Sequence, residues 1–211
     1  MIYLTLKKIP DGENTVGLYE KALASFKRCP ENSSYIDTIR NRCDKSAAEG
    51  LFALCLLSEL INRADEAPMS DTLTLARTDV GKPYFVSSDW QFNISHSGGY
   101  VAVALSDEGA VGIDVETADI TADKAQKLAK RFFTESEQCA VAADSSEFCR
   151  LWSKKEAAAK YLGTSLQSFL CGERKGAPAH QSIATETHSI NGITVTLCRA
   201  ANSKTSVVIL A

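Results

Sequence analysis

The sequence has no C-x-x-C pair, no long apolar run and no excess of positive charge, and each gap removes a class of protein. Its seven cysteines, at positions 29, 43, 55, 139, 149, 171 and 198, are odd in number and scattered. That argues against a disulfide framework or a zinc knuckle and for reduced thiols, with Cys55 inside an apolar helical run. No segment reaches about 18 consecutive apolar residues, so no membrane span is expected. Met1 to Pro10 lacks the apolar stretch and small-residue cleavage site of a signal peptide, which makes the cytoplasm the expected location. The net charge is −3 and the pI is near 5.7, so no general basic field advertises nucleic-acid binding. An acidic partner would need a local basic patch. No G-x-x-x-x-G-K-[ST] occurs either, which disfavours a nucleoside-triphosphate machine.

What is present is ordinary for a globular chain: 211 residues, 45% hydrophobic and 23% charged, enough for one large domain or two small ones. Ile2, Leu4 and Leu6 alternate with Tyr3 and Thr5, which predicts a strand. Tyr19, Ala22, Leu23 and Phe26 recur at helical spacing. A longer helix is expected from Asp44 to Asn62, with Ala47, Leu51, Leu54 and Ile61 in its apolar stripe. A polar, proline-containing break follows over 64–70, then short strands near 72–76, 83–86 and 91–94. Residues 100–105 and 110–116 flank the tetrad Ser106–Gly109 and read as a hairpin. Thr121 is placed to cap a helix carrying Leu128, Ala129, Phe132 and Phe133, and Thr134 with Glu137 fits a capping box. Ser146 to Leu162 is the strongest helical pattern, stopped by Gly163. A loop over 172–179 precedes strands at 193–198 and 205–210. This order is α+β, with an approximate repeat of organisation about a midpoint near Asp107.

Four stretches carry chemistry. In Gly112-Ile113-Asp114-Val115-Glu116, strand geometry sends Asp114 and Glu116 to one face. Two carboxylates aimed into one space repel unless a cation lies between them or one is protonated, and hard oxygen donors of this kind suit magnesium. The plain alternative is a strand with an acidic outer face. In Trp152-Ser153-Lys154-Lys155-Glu156-Ala157-Ala158-Ala159-Lys160, Glu156 and Lys160 are helical neighbours, which on its own is an ordinary surface pair. Glu156 becomes more than that if it adds a third carboxylate to the same cation, with Lys155 and Lys160 against phosphate. Phe92-Asn93-Ile94-Ser95-His96-Ser97-Gly98-Gly99 reads as a polar loop between apolar strands, able to hold phosphate or simply to turn. Gly81-Lys82-Pro83 is a stiffened turn, a possible wall for an aromatic base.

The order G-K-P, F-N-x-S-H-S-G, G-I-D-x-E, F-F-x-x-x-E and W-x-x-K-E-A-x-x-K-x-x-G, from Gly81 to Leu166, resembles the motif series of the Sfp-type 4′-phosphopantetheinyl transferases. The resemblance implies a pseudo-twofold pair of similar α+β halves with the active site in the cleft between them. Residues 1–107 would form the coenzyme A side and 108–211 the magnesium and catalytic side. Asp114, Glu116 and Glu156 would bind magnesium against the pyrophosphate of coenzyme A, and Lys155 and Lys160 would contact its phosphates. Ser95 and His96 would hold phosphate, Lys82 and Pro83 would border the adenine, and Glu137 falls at a further acidic position. Two positions depart from the family. Lys45 stands where an arginine usually meets the 3′-phosphate, keeping the charge without the bidentate fork. Ser165 stands where a second glycine is usual.

The implied reaction moves phosphopantetheine from coenzyme A to a serine of an acyl or peptidyl carrier protein. Glu156 would be the general base and Glu116 the alternative base, with Lys160, Lys155 and His96 adding positive charge. Lys124, Lys127, Lys130 and Arg131 are the candidate docking patch for the carrier, and a monomer would suffice. The competing readings are a silent protein that binds coenzyme A or a carrier, and a magnesium-dependent phosphohydrolase or nucleotidyl transferase.

Overall fold

The computed structural model describes residues 1–64, 67, 70–117, 120–174, 183–203 and 205–210. The fold is mixed α+β, and the chain divides into two units, Met1–Val111 with Lys204–Ala211, and Gly112–Ser203. No helix among the described residues is long and apolar enough to cross a membrane.

The first unit runs β1 (Ile2–Lys8), α1 (Thr15–Ser25), α2 (Glu31–Arg40), α3 (Asp44–Arg63), a short 3-10 turn, β2 (Thr74–Arg77), β3 (Pro83–Val86), β4 (Gln91–Ser97) and β5 (Tyr100–Ser106). Its four-stranded sheet has the order β4-β5-β1-β9, where β9 is Val207–Leu210. The apolar stripe read for α3 is real: Ala47, Leu51, Leu54, Leu57 and Ile61 are all buried, at spacings of three and four that keep one face inward. That face joins Tyr3, Phe92, Val101, Val103 and Leu105 of the sheet in one core. Cys55, half-buried on α3, has its thiol pushed up to about 11 by burial.

The second unit runs β6 (Gly112–Glu116), α4 (Ala122–Phe132), α5 (Glu135–Ala143), α6 (Glu147–Leu162), α7 (Leu166–Arg174), β7 (Ile183–Ile190) and β8 (Ile193–Ala200). Its sheet has the order β6-β8-β7, antiparallel throughout. The capping box at α5 forms as read, with Thr134 N–H donating to Glu137 Oε2 at 2.9 Å. Gly163 ends α6 in the left-handed region at φ 64°. Phe133, Phe148 and Trp152 stack between α4, α5 and α6, with the Phe148 and Trp152 centroids 5.5 Å apart.

Several expectations change. The hairpin is not at Ser106–Gly109: both edges of β5 are already taken, by β4 and β1, so β6 pairs with β8 instead. The real hairpin joins β4 to β5 through Gly98 and Gly99, at φ 55° and 81°, a two-residue turn that needs positive φ twice. Ser95, His96 and Ser97 therefore lie in strand β4 and not in a loop. The first residues of the expected 172–179 loop continue α7, and 175–179 lie outside the described residues, as does most of the break expected over 64–70. Thr121 precedes α4 but makes no side-chain cap bond. The units part between Val111 and Gly112, and β9 runs parallel to β1, which puts the tail with the first unit. Ser165, the departure from glycine, accepts from Ser168 N–H at 3.1 Å and so caps α7.

Candidate active site

The acidic motif sits on β6, and Gly112 sets how near α6 can come. A Cβ on Gly112 would lie 2.0 Å from the Ala157 carbonyl oxygen and 2.5 Å from the Tyr161 amide nitrogen, both in the backbone of α6. Any side chain here would force the helix off the strand. Without one, α6 brings Lys160 onto Asp114: Nζ donates to Oδ1 at 2.7 Å and stands 3.6 Å from Glu156 Oε2. Trp152 Nε1–H donates to Glu156 Oε1 at 3.1 Å, so Trp152, Glu156 and Lys160 form one stripe at successive helical turns.

Asp114 is only 2% exposed, and one ammonium there serves two carboxylates. Burial pushes the Glu156 carboxyl above the ordinary range and the Asp114 charge pushes it the same way, while Lys160 and the Trp152 N–H pull down. Glu116 lies two residues beyond Asp114 on the same strand, in register with Thr194. Among the described residues no three His, Cys, Asp or Glu side chains converge as a metal site would require. Asp114 and Glu156 are thus gathered around Lys160.

Lys155 occupies a different side of α6. It is 6% exposed, with Nζ 3.0 Å from Glu137 Oε1 and 5.4 Å from the Phe133 ring centre. Burial pushes Glu137 up, but the Thr134 N–H and the Lys155 ammonium outweigh it and hold the carboxyl below its ordinary value. Glu137 therefore caps α5 and neutralises a buried lysine at once.

The first unit holds the other candidates. Ser95 is buried and His96 exposed, because consecutive residues of β4 face opposite ways. His96 Nδ1 lies 3.1 Å from Glu49 Oε2. Lys82 closes a tight turn, its N–H donating to Thr78 Oγ1 at 3.1 Å, and Pro83 opens β3 opposite Arg77. Lys45 is exposed in the first turn of α3.

Two further basic residues lie there: Arg42, from the basic stretch 40–45 at the start of α3, and Arg77, which was not singled out from the sequence. The Arg77 guanidinium lies 4.9 Å from the Tyr35 ring centre and donates to the Gly81 carbonyl at 3.1 Å. Arg42 is held below its usual basicity by burial and by the Arg77 charge. Among the described residues neither is in an ion pair, so two guanidinium groups share a neighbourhood without a carboxylate. The available signal was that Arg77 and Pro83 flank the Gly81-Lys82 turn, which makes Arg77 a structural extension of that motif.

The geometry can be set beside known proteins. The family model described as the 4′-phosphopantetheinyl transferase superfamily matches residues 110–207, and one described as 4′-phosphopantetheinyl transferase, N-terminal, matches 23–108. The 4′-phosphopantetheinyl transferase AcpT of Escherichia coli is 30% identical over 146 residues, 64% of this chain and 72% of that protein. The chain belongs to the 4′-phosphopantetheinyl transferase superfamily. AcpT of Salmonella typhi is 40% identical over 92 residues, 40% of this chain and 47% of that protein. The 4′-phosphopantetheinyl transferase Sfp of Bacillus subtilis is 36% identical over 117 residues, 53% of this chain and 50% of that protein. The chain thus spans about half the length of these last two relatives. Asp114, Glu156 and Lys160 fall within the superfamily match, and Arg42, Arg77 and His96 within the N-terminal match.

Proposed function

We propose that this chain transfers the 4′-phosphopantetheine group of coenzyme A to a serine of an apo acyl or peptidyl carrier protein and releases 3′,5′-ADP. The observation that carries the reading is the Asp114–Lys160–Glu156 group, two carboxylates and one ammonium fixed at the junction of β6 and α6. In the reaction the serine oxygen forms a bond to the β-phosphorus, the bond to the 3′,5′-ADP oxygen breaks, and the serine proton passes to Glu156. Lys160 adds positive charge beside the pyrophosphate. Glu116 is the alternative base.

The donor chemistry suits magnesium, since Asp114, Glu156 and Glu116 carry hard carboxylate oxygens, although among the described residues the three do not converge. Those three residues would hold the ion, which when bound supplies charge neutralisation at the phosphate oxygens. On the first unit, Arg42 and Arg77 join Lys45, Lys82, Pro83, Ser95 and His96 as contacts for the nucleotide end, since paired guanidiniums suit phosphate. Lys155, paired with the half-buried Glu137, supports α6, and by the family resemblance it also contacts the phosphates of coenzyme A. The pseudo-twofold pairing of halves, with coenzyme A in the cleft, belongs to this proposal and derives from the family resemblance. The carrier would dock on α4, where Lys124, Lys127, Lys130 and Arg131 are exposed beside a cleft of about 410 Å³ against α5. A monomer acting in the cytoplasm completes the reading.

Incubation with coenzyme A, a magnesium salt and an apo carrier protein, followed by weighing the carrier, tests it. Gain of one phosphopantetheine is the expected result. An unchanged carrier with coenzyme A bound would point to the silent binder, and cleaved coenzyme A without carrier modification to the phosphohydrolase.

A further inference from the structure

Helix α3 carries a carboxylate where its neighbours are apolar. Glu49 is 5% exposed, between the buried Ala47 and Leu51 of the inward face. A charge in such a place needs a partner. The partner it has among the described residues is the imidazole of His96, with Nδ1 3.1 Å from Oε2. The ring itself is about half exposed, its side chain at 47% against 7% for that of Glu49, so a buried acid stands behind an accessible imidazole. No motif in the sequence contains Glu49, and helix and strand are 47 residues apart along the chain.

We infer that Glu49 is a positioning residue that fixes the orientation and tautomer of His96 for an incoming phosphate. The inference rests on the reading of His96 as a phosphate contact of coenzyme A. A carboxylate accepting at Nδ1 requires that nitrogen to carry the proton, which leaves Nε2 as the nitrogen for a ligand. A doubly protonated ring would donate Nε2–H to phosphate while Nδ1–H stays on Glu49. The ring cannot swing away without leaving Glu49 buried and unpaired. The sheet therefore holds the ring oriented, with Nδ1 on Glu49 and Nε2 left for the ligand, before the ligand arrives.

The test is the tautomer of His96, read by long-range ¹H–¹⁵N correlation on the ligand-free protein and assigned by its loss in His96→Gln. The Nδ1–H tautomer is expected in the natural chain, with Glu49→Met, which keeps volume but removes the acceptor, releasing it toward Nε2–H. Coenzyme A affinity should fall about tenfold in Glu49→Met, as for a lost charge-assisted hydrogen bond. It should fall no further when Glu49→Met is added to His96→Gln. Should the methionine variant not fold, Glu49→Gln keeps the shape, removes the charge and is expected to weaken coenzyme A severalfold by the same route. An Nε2–H tautomer in the natural chain, an unchanged tautomer in Glu49→Met, or losses that add with His96→Gln would overturn the inference. Because the tautomer is read without coenzyme A, failure of the natural chain to bind coenzyme A would instead overturn the proposed function, while the Nδ1–H signature still upheld the pairing.

Discussion

The two units handle charge in opposite ways. In the second, acids outnumber the base: Asp114 and Glu156 share Lys160, and burial raises the Glu156 carboxyl. In the first, Arg42 and Arg77 stand together without an ion-pair partner among the described residues, and burial together with the Arg77 charge lowers the basicity of Arg42. One group calls for a cation and a proton to be moved, the other for an anion to be held. Under the proposed function, reaction and recognition would be built from separate materials, a glycine-licensed strand–helix junction in one unit and a basic surface around Tyr35 in the other.

The comparison breaks most readily at Asp114. Asp114→Ala should lower the transfer rate by a factor on the order of 10² to 10³, the scale for losing a preorganised electrostatic group. Coenzyme A binding should change far less, as measured by titration of the same variant. The junction itself is tested by Gly112→Ala, whose Cβ would meet the α6 backbone at 2.0 Å. It should cost about 3 kcal/mol in denaturant unfolding, the upper end for overpacking. Arg77→Ala sharpens the other side, with an expected drop in coenzyme A affinity of about tenfold and no loss of turnover at saturation.

The smallest effect concerns Glu137. Its carboxyl is held below the ordinary value in the folded chain, so its contribution to stability is fully present above that ordinary value and is lost as pH falls through the lowered one. Glu137→Gln should melt below the natural chain near neutral pH, and the gap should close in acid. A gap that persists unchanged in acid would show that the Lys155 pair is not its source.

How much of this was legible depended on whether a residue's partner was near in sequence. The stripe of α3, the Thr134 capping box and the Gly163 stop follow from local spacing, and they formed. Helix α2 was missed because Glu31–Arg40 is largely polar. Its buried Asn32 is held by the carbonyls of Phe26 and Leu73 and by Leu75 N–H, contacts that no local pattern announces. The hairpin was misplaced because strand pairing is non-local, and β5 had both edges occupied. In the same way Asp114, Glu156 and Lys160 could be named from motifs, whereas Glu49 and Arg77 could not. Each of those gains meaning only from a residue on another element, His96 or Tyr35.

The most direct test of the account is the dependence of carrier modification on coenzyme A concentration in Asp114→Ala and Arg77→Ala, each read by the mass of the carrier. The account predicts that Arg77→Ala regains the natural rate when coenzyme A is raised to saturation, whereas Asp114→Ala stays slow at every concentration. Recovery of Asp114→Ala at high coenzyme A, or an Arg77→Ala protein that stays slow at saturation, would contradict it.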